Sequence, residues 1–203
     1  GMTNSATQQA AWIALAAKAG LATAPCILRV AIEGRSYLLL DHLEGESDPD
    51  VLAARDVDSL RVATASLLPG LARLHASAPA PCFDRSKLHS AKRLEALSVA
   101  YQALYAELQA LSELSGVAAL HGDFRLANFL VDQGSAQILD FDFARAGHPA
   151  EDLGWLTAPC WTYSAQQAQA FDPVWLIEAY ARSGGVEIAG ATLLKAQIQA
   201  QLL

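Results

Sequence analysis

His121-Gly122-Asp123, followed five residues later by Asn128 and then by Asp140-Phe141-Asp142, spaces acidic and amide groups as phosphoryl transfer to a hydroxyl needs them. In that chemistry one Asp accepts the proton of the attacking hydroxyl, an Asn further along the same loop holds Mg²⁺, and a later Asp ahead of a Phe supplies another metal ligand. Asp123 and Asn128 meet the spacing of the first two, and Asp140 follows after a short hairpin. Phe129-Leu130-Val131 reads as an apolar strand, Asp132-Gln133-Gly134-Ser135 as a turn and Gln137-Ile138-Leu139 as the returning strand. The start and end of such a hairpin lie side by side, so Asn128 and Asp140 can reach one ion, with Asp123 just upstream near an acceptor hydroxyl. Carboxylates gathered in this way repel one another and either take up protons or hold a divalent cation. Oxygen ligands of this kind suit Mg²⁺. Taken singly, each Asp would read as the cap of a turn or helix.

The run HGDFRLANFLVD, then ILDFDFARAGHPAEDLGWL, resembles the aminoglycoside phosphotransferase and choline kinase-like family, which has the protein kinase-like fold and phosphorylates small molecules. The resemblance implies that Asp123 is the catalytic base, that Asn128 and Asp140 are Mg²⁺ ligands, and that Asp152 is a buried acid bracing the catalytic loop. His121 is then a structural loop residue. Asp142-Phe143 is a second candidate for the metal-binding pair; Asp140 is preferred because family members place that Asp directly after the apolar strand, with Asp142 in reserve as a supporting residue. Arg125, inside the loop, could approach the transferred phosphate; a surface charge or a partner for Asp152 or Glu151 is an equal reading.

The elements that must position this loop are legible upstream. Thr7 to Ala19 is an Ala-rich helix with Asn4 or Ser5 as N-cap and Gly20 as its stop. Cys26 to Val30 and Tyr37 to Leu40 form a hairpin about Glu33-Gly34. Tyr37 to Gly45 is similar to the family's last N-lobe strand and hinge, which implies that the backbone of Asp41, His42 and Leu43 pairs with adenine. Asp56 to Ala76 is helical, with Pro69-Gly70 predicting a kink or two short helices. Leu94, Leu97, Tyr101, Leu104, Leu108 and Leu111 recur at helical steps and mark a buried face. Trp155, Trp161, Tyr163 and Trp175 form an aromatic-rich segment, mostly core, of which one or two could line a substrate cleft.

The expected fold class is therefore α+β and protein kinase-like: a mostly helical C-lobe at 46–203 carrying the catalytic β-hairpin, and a reduced N-lobe and hinge at 1–45 made of one helix and a two-stranded hairpin. Gly1 reads as a tag residue ahead of an initiator Met2, so the strands that bear the family's phosphate-covering loop and Lys are expected to be absent. The family's helix Glu is expected at Gln8, and Lys18 is the only nearby substitute for the Lys. Loss of the Lys-bearing strand would leave an unpaired sheet edge at Tyr37 to Leu40, which predicts a homodimer.

Among the 203 residues, 53% are hydrophobic and 17% charged, enough for one compact core. A net charge of -7 argues against nucleic acid or an anionic membrane as partner, and favours a cationic acceptor. No run of apolar residues is long enough to span a bilayer, and no signal peptide is recognisable. Three scattered cysteines, Cys26, Cys82 and Cys160, argue for a reducing cytoplasm over a disulfide framework or a zinc site. Two functions are carried forward: an ATP- and Mg²⁺-dependent phosphotransferase acting on a small-molecule hydroxyl, and a degenerate kinase serving as a weak nucleotide-binding or interaction module.

Overall fold

The computed structural model describes residues 4–82, 99, 102–103, 106 and 117–202. The helix expected over Leu94 to Leu111 falls largely outside them. Helix α1, Ala6–Lys18, begins one residue before its expected start because Ser5 caps it: Ser5 Oγ accepts from the Gln8 amide at 3.3 Å and Gln8 Oε1 accepts from the Ser5 amide at 2.9 Å. Such a capping box satisfies two amides that have no partner within the helix. Asn4, the alternative cap, instead donates its side-chain amide to the carbonyls of Phe141 and Ala144, at 3.0 and 2.7 Å. The start of α1 is thereby fastened to the segment from Phe141 to Ala144.

Strands β1, Cys26–Ile32, and β2, Arg35–Leu40, pair antiparallel about Glu33 and Gly34, whose φ angles of 50° and 75° make the two-residue turn that suits strand twist. Each strand is two residues longer at the turn end than the apolar pattern alone predicts, because such a turn keeps the ladder bonded up to its own corner. Leu28, Ile32 and Leu39 are half exposed or more. Among the described residues the sheet has only these two strands.

A short helix α2, Pro49–Ala53, leads to α3, Val57–His75, which runs unbroken through Pro69. The expected division into two helices does not occur: Leu67, Leu68, Leu71 and Leu74 flank the proline and are buried, so packing outweighs the one lost helix bond. Gly70 permits a close crossing, since a Cβ there would lie 2.4 Å from the Leu21 Cα.

Strand β3, Ala118–Leu120, leads into the loop from His121 to Asn128 and pairs with β6, Arg145–Gly147. Between them lie β4, Phe129–Asp132, and β5, Ser135–Ile138, joined at Gln133 and Gly134, both at positive φ. Glu46 and Val131 exchange backbone hydrogen bonds at 3.0 and 2.9 Å, and Ile138 donates to Ala22 at 2.9 Å. These bonds stitch the N-terminal segments onto the hairpin. Helices α4, Ala150–Thr157, α5, Ala165–Ala170, α6, Pro173–Arg182, and α7, Gly190–Leu202, complete the mixed α+β fold. Gly154 of α4 lets α7 pack directly on it, because a Cβ would fall 2.7 Å from the Ala196 side chain. Trp12, Leu71, Phe124, Phe129, Phe141, Leu153 and Leu176 belong to one continuous buried core.

Candidate active site

The loop between β3 and β4 is held from below by one buried carboxylate. Asp152, on the first turn of α4, accepts from the backbone amides of His121 and Gly122, both at 2.8 Å, and from His75 Nε2 at 3.0 Å. Burial pushes its carboxyl up, but the hydrogen bond from His75, with the nearby Arg145 guanidinium, overrides this and holds it below the usual carboxylate range. His75 is fixed in turn by Tyr180, whose hydroxyl lies 2.7 Å from Nδ1. Burial, reinforced by the Asp152 charge, raises the Tyr180 hydroxyl well above its ordinary pKa.

His121 is fully buried, and its ring braces the loop from within. Nδ1 accepts from the Asp123 amide at 3.3 Å and Nε2 donates to the Leu139 carbonyl at 3.0 Å, which defines the neutral ring protonated at Nε2. Burial lowers its pKa, against the opposing pull of Asp152, Asp123 and Asp140. Gly122 adopts φ 84° and carries its carbonyl to Arg145 Nη1 at 2.6 Å. A side chain at 122 would sit 1.9 Å from the Phe143 carbonyl oxygen.

Asp123 and Asn128 meet directly: Asn128 Nδ2 donates to the carboxylate and to the main-chain carbonyl of Asp123, each at 2.8 Å. The Asn128 carbonyl accepts from Leu139 at 2.8 Å, so Asp140 lies next to Asn128 across the hairpin, as its sequence position predicts. Asp140 is exposed and has φ 64°. Its Oδ1 accepts from the Asp142 amide at 2.9 Å. Asp142 instead faces α1 and accepts from Gln9 Nε2. Burial, then the Asp140 charge, raises its pKa, and the Gln9 bond opposes them.

The helix residue turned toward the site is thus Gln9 and not Gln8. Gln8 is drawn back to its own helix terminus by the capping box, and the step of about 100° per residue turns Gln9 inward. Lys18 is exposed near the far end of α1. Of the hinge residues, Asp41 donates its amide to Pro25 at 2.9 Å, His42 is exposed and Leu43 is half-buried.

Arg125 pairs with neither Asp152 nor Glu151, whose partners are His75 and Arg145. Its Nε lies 2.9 Å from Asp123 Oδ1, and its guanidinium rests 4.1 Å over the Trp161 ring, which stacks on Trp155. Together with Phe143 and Arg145 these residues border a cavity of ≈ 240 Å³ beside Asp123. Arg145, paired with Glu151 at 3.2 Å and almost wholly buried, was not singled out by spacing or motif. Its only sequence signal is a charge inside the short apolar run Phe143 to Gly147.

A donor set of Asn128 Oδ1 and the Asp140 carboxylate fits Mg²⁺, which takes one or two protein oxygens and leaves its remaining positions to phosphate and water. Among the described residues, no group of three or more His, Cys, Asp or Glu side chains is poised for a metal ion.

A model of the phosphotransferase enzyme family matches residues 3–185, and the chain belongs to that family. It is similar in structure to a choline/ethanolamine kinase family protein from Mesorhizobium loti, at 20% identity over 97% of this chain and 68% of that one, with a TM-score of 0.64. An aminoglycoside phosphotransferase from Streptomyces rimosus, solved with ADP and streptomycin, is 18% identical, covers 98% and 85%, and has a TM-score of 0.64. The choline kinase LicA from Streptococcus pneumoniae is 15% identical, covers 98% and 70%, and also scores 0.64. At these identities the likeness establishes the protein kinase-like fold. No curated protein sequence matches the chain.

Proposed function

We propose that the protein transfers the γ-phosphoryl group of ATP to a hydroxyl of a small molecule. The observation that carries this reading is the contact of Asn128 with Asp123 at 2.8 Å, made where the hairpin also brings up Asp140. In this reading Asp123 orients the acceptor hydroxyl and takes its proton as the oxygen bonds to phosphorus. Asn128 and Asp140 would hold Mg²⁺, which when bound neutralises charge on the phosphates. Asp142 is the supporting acid beside Asp140. The backbone of Asp41, His42 and Leu43 would contact the adenine, the Asp41 amide being already given to the Pro25 carbonyl. Asp152 and His121 fix the loop, since positioning supplies most of the catalysis in phosphoryl transfer.

Calorimetric titration with ATP, with and without Mg²⁺, tests the site. Metal-dependent binding that disappears in Asp140→Ala is the expected result, and absence of binding up to millimolar ATP would overturn the reading. A second reading, a degenerate kinase acting as a weak nucleotide-binding or interaction module, is favoured by Gln9, an amide, as the α1 residue facing Asp142. ATP binding without turnover on any acceptor would select it.

Three finer features belong to the same proposal. The segment 1–45 acts as an N-lobe and hinge on a C-lobe of 46–203. A homodimer forms through the β1–β2 hairpin, a reading supported by the exposure of Leu28, Ile32 and Leu39 on a two-stranded sheet. A cytoplasmic location is supported by the free thiols of Cys26, Cys82 and Cys160. No helix among the described residues is long and apolar enough to cross a membrane.

A further inference from the structure

The cavity beside Asp123 has the wrong chemistry for a cationic acceptor. A bound ammonium needs carboxylates or an open aromatic face. Asp123 is the only carboxylate among the described lining residues, and Arg125 Nε already lies 2.9 Å from it. The aromatic face is taken as well. Trp161 carries the Arg125 guanidinium at 4.1 Å, and its ring stacks on Trp155 with centroids 5.8 Å apart and planes 25° from parallel. A cation entering here would meet two guanidinium groups, those of Arg125 and Arg145.

The unsatisfied groups point the other way. Among the described residues Arg145 Nε and Trp161 Nε1 have no hydrogen-bond partner and are buried, and Arg145 is only 1% exposed. Arg125 Nε, for all its closeness to Asp123, is not aligned for a hydrogen bond with it. Among the described lining residues, Arg125 and Arg145 set two cations against the single carboxylate of Asp123, which Arg125 already approaches. That lining favours a ligand with anionic oxygens. The volume of ≈ 240 Å³ sits below the roughly 300–1,000 Å³ of drug-sized pockets, so the ligand is small.

We propose that the acceptor is a small hydroxylated carboxylate. Its carboxylate draws Arg125 off Asp123, matching the planar guanidinium fork, and its hydroxyl takes the freed Asp123 Oδ1. This rests on the phosphotransferase reading above. The hydroxyl proton passes to Asp123, a bond forms from the hydroxyl oxygen to the γ-phosphorus of ATP, and the bond from that phosphorus to the bridging oxygen breaks. ADP leaves, and the product is a phosphorylated hydroxy acid. Arg125 is then both a latch on the base in the empty site and the residue that selects the acceptor's charge.

Tryptophan fluorescence reads the cavity without nucleotide, because Trp155 and Trp161 line it. Glycerate and 3-hydroxybutyrate, their uncharged amides, choline and streptomycin are titrated in turn. A hydroxy acid is expected to bind in the millimolar range or tighter, with its amide weaker, and Arg125→Gln to weaken it by about 10- to 100-fold. Arg125 is partly exposed, so this variant is expected to keep the native melting temperature. Absence of hydroxy-acid binding, equal binding of acid and amide, or no effect of Arg125→Gln overturns the proposal. Phosphorylation of choline or streptomycin alone overturns it too, while sustaining the transferase reading. Hydroxy-acid binding with no transfer from ATP to any acceptor sustains the anion site and overturns the transferase reading.

Discussion

Asn128 donates its side-chain amide to Asp123 at 2.8 Å, so the proposed base and the proposed metal ligand share a hydrogen bond within one loop. The same side chain leaves Oδ1 for a cation. Asp123→Asn removes the proton acceptor while keeping its shape, and turnover is expected to fall by about 100- to 10,000-fold. ATP binding measured by calorimetry should stay near wild type. Unchanged turnover would exclude Asp123 as the base.

Asp152 joins His75 of α3 to the amides of His121 and Gly122. Asp152→Ala strands these donors in a fully buried site, and a loss of about 3–5 kcal/mol is expected in denaturant unfolding. Tyr180→Phe deletes only the hydroxyl against His75 and is expected to cost about 0.5–1.5 kcal/mol.

Stability should depend on pH through His121 and His148, whose pKa values burial lowers from an ordinary 6.5. A group with a depressed folded pKa binds fewer protons when folded, so its contribution is complete above pH 6.5 and is lost as pH falls toward the folded value. Asp152, also depressed, adds a second loss below its ordinary 3.8. Melting temperature should therefore fall on acidification from pH 7 to 5. A flat profile over that range would contradict the buried neutral His121.

Gly122 is the narrowest point of the loop. Gly122→Ala must relieve a 1.9 Å approach to the Phe143 carbonyl and tolerate φ 84°, costing at least about 1–3 kcal/mol and displacing Asp123. Reduced stability together with reduced turnover is the expected outcome of melting and activity measurements.

The exposed β1–β2 hairpin predicts self-association. Light scattering at micromolar concentration should give a dimer mass, and Leu39→Lys, at a half-exposed position, should shift it to monomer without lowering the melting temperature. A monomer throughout would sink the dimer.

The sequence alone determined the two hairpins and the spacing of Asp123, Asn128 and Asp140, because turn chemistry and apolar runs act over a few neighbours, while the fold class was legible through the resemblance of those motifs to a known family. Glu33-Gly34 and Gln133-Gly134 fix their hairpins locally through positive φ. Ser5 and Asn4 looked equivalent as caps, since both can accept from a helix amide. Only the tertiary structure separated them, by offering Asn4 the carbonyls of Phe141 and Ala144. Gln9 replaced Gln8 at the site for the same reason, a contact with Asp142 more than a hundred residues away. Pro69 reads as a kink or a division into two helices, and the buried leucines around it keep α3 one continuous helix. The grouping of Arg125, Arg145, Trp155 and Trp161 around one cavity was decided by packing between β6, α4 and the turn at Pro159–Trp161. Burial and electrostatics depend on which distant elements meet, and that information is carried by the assembled core.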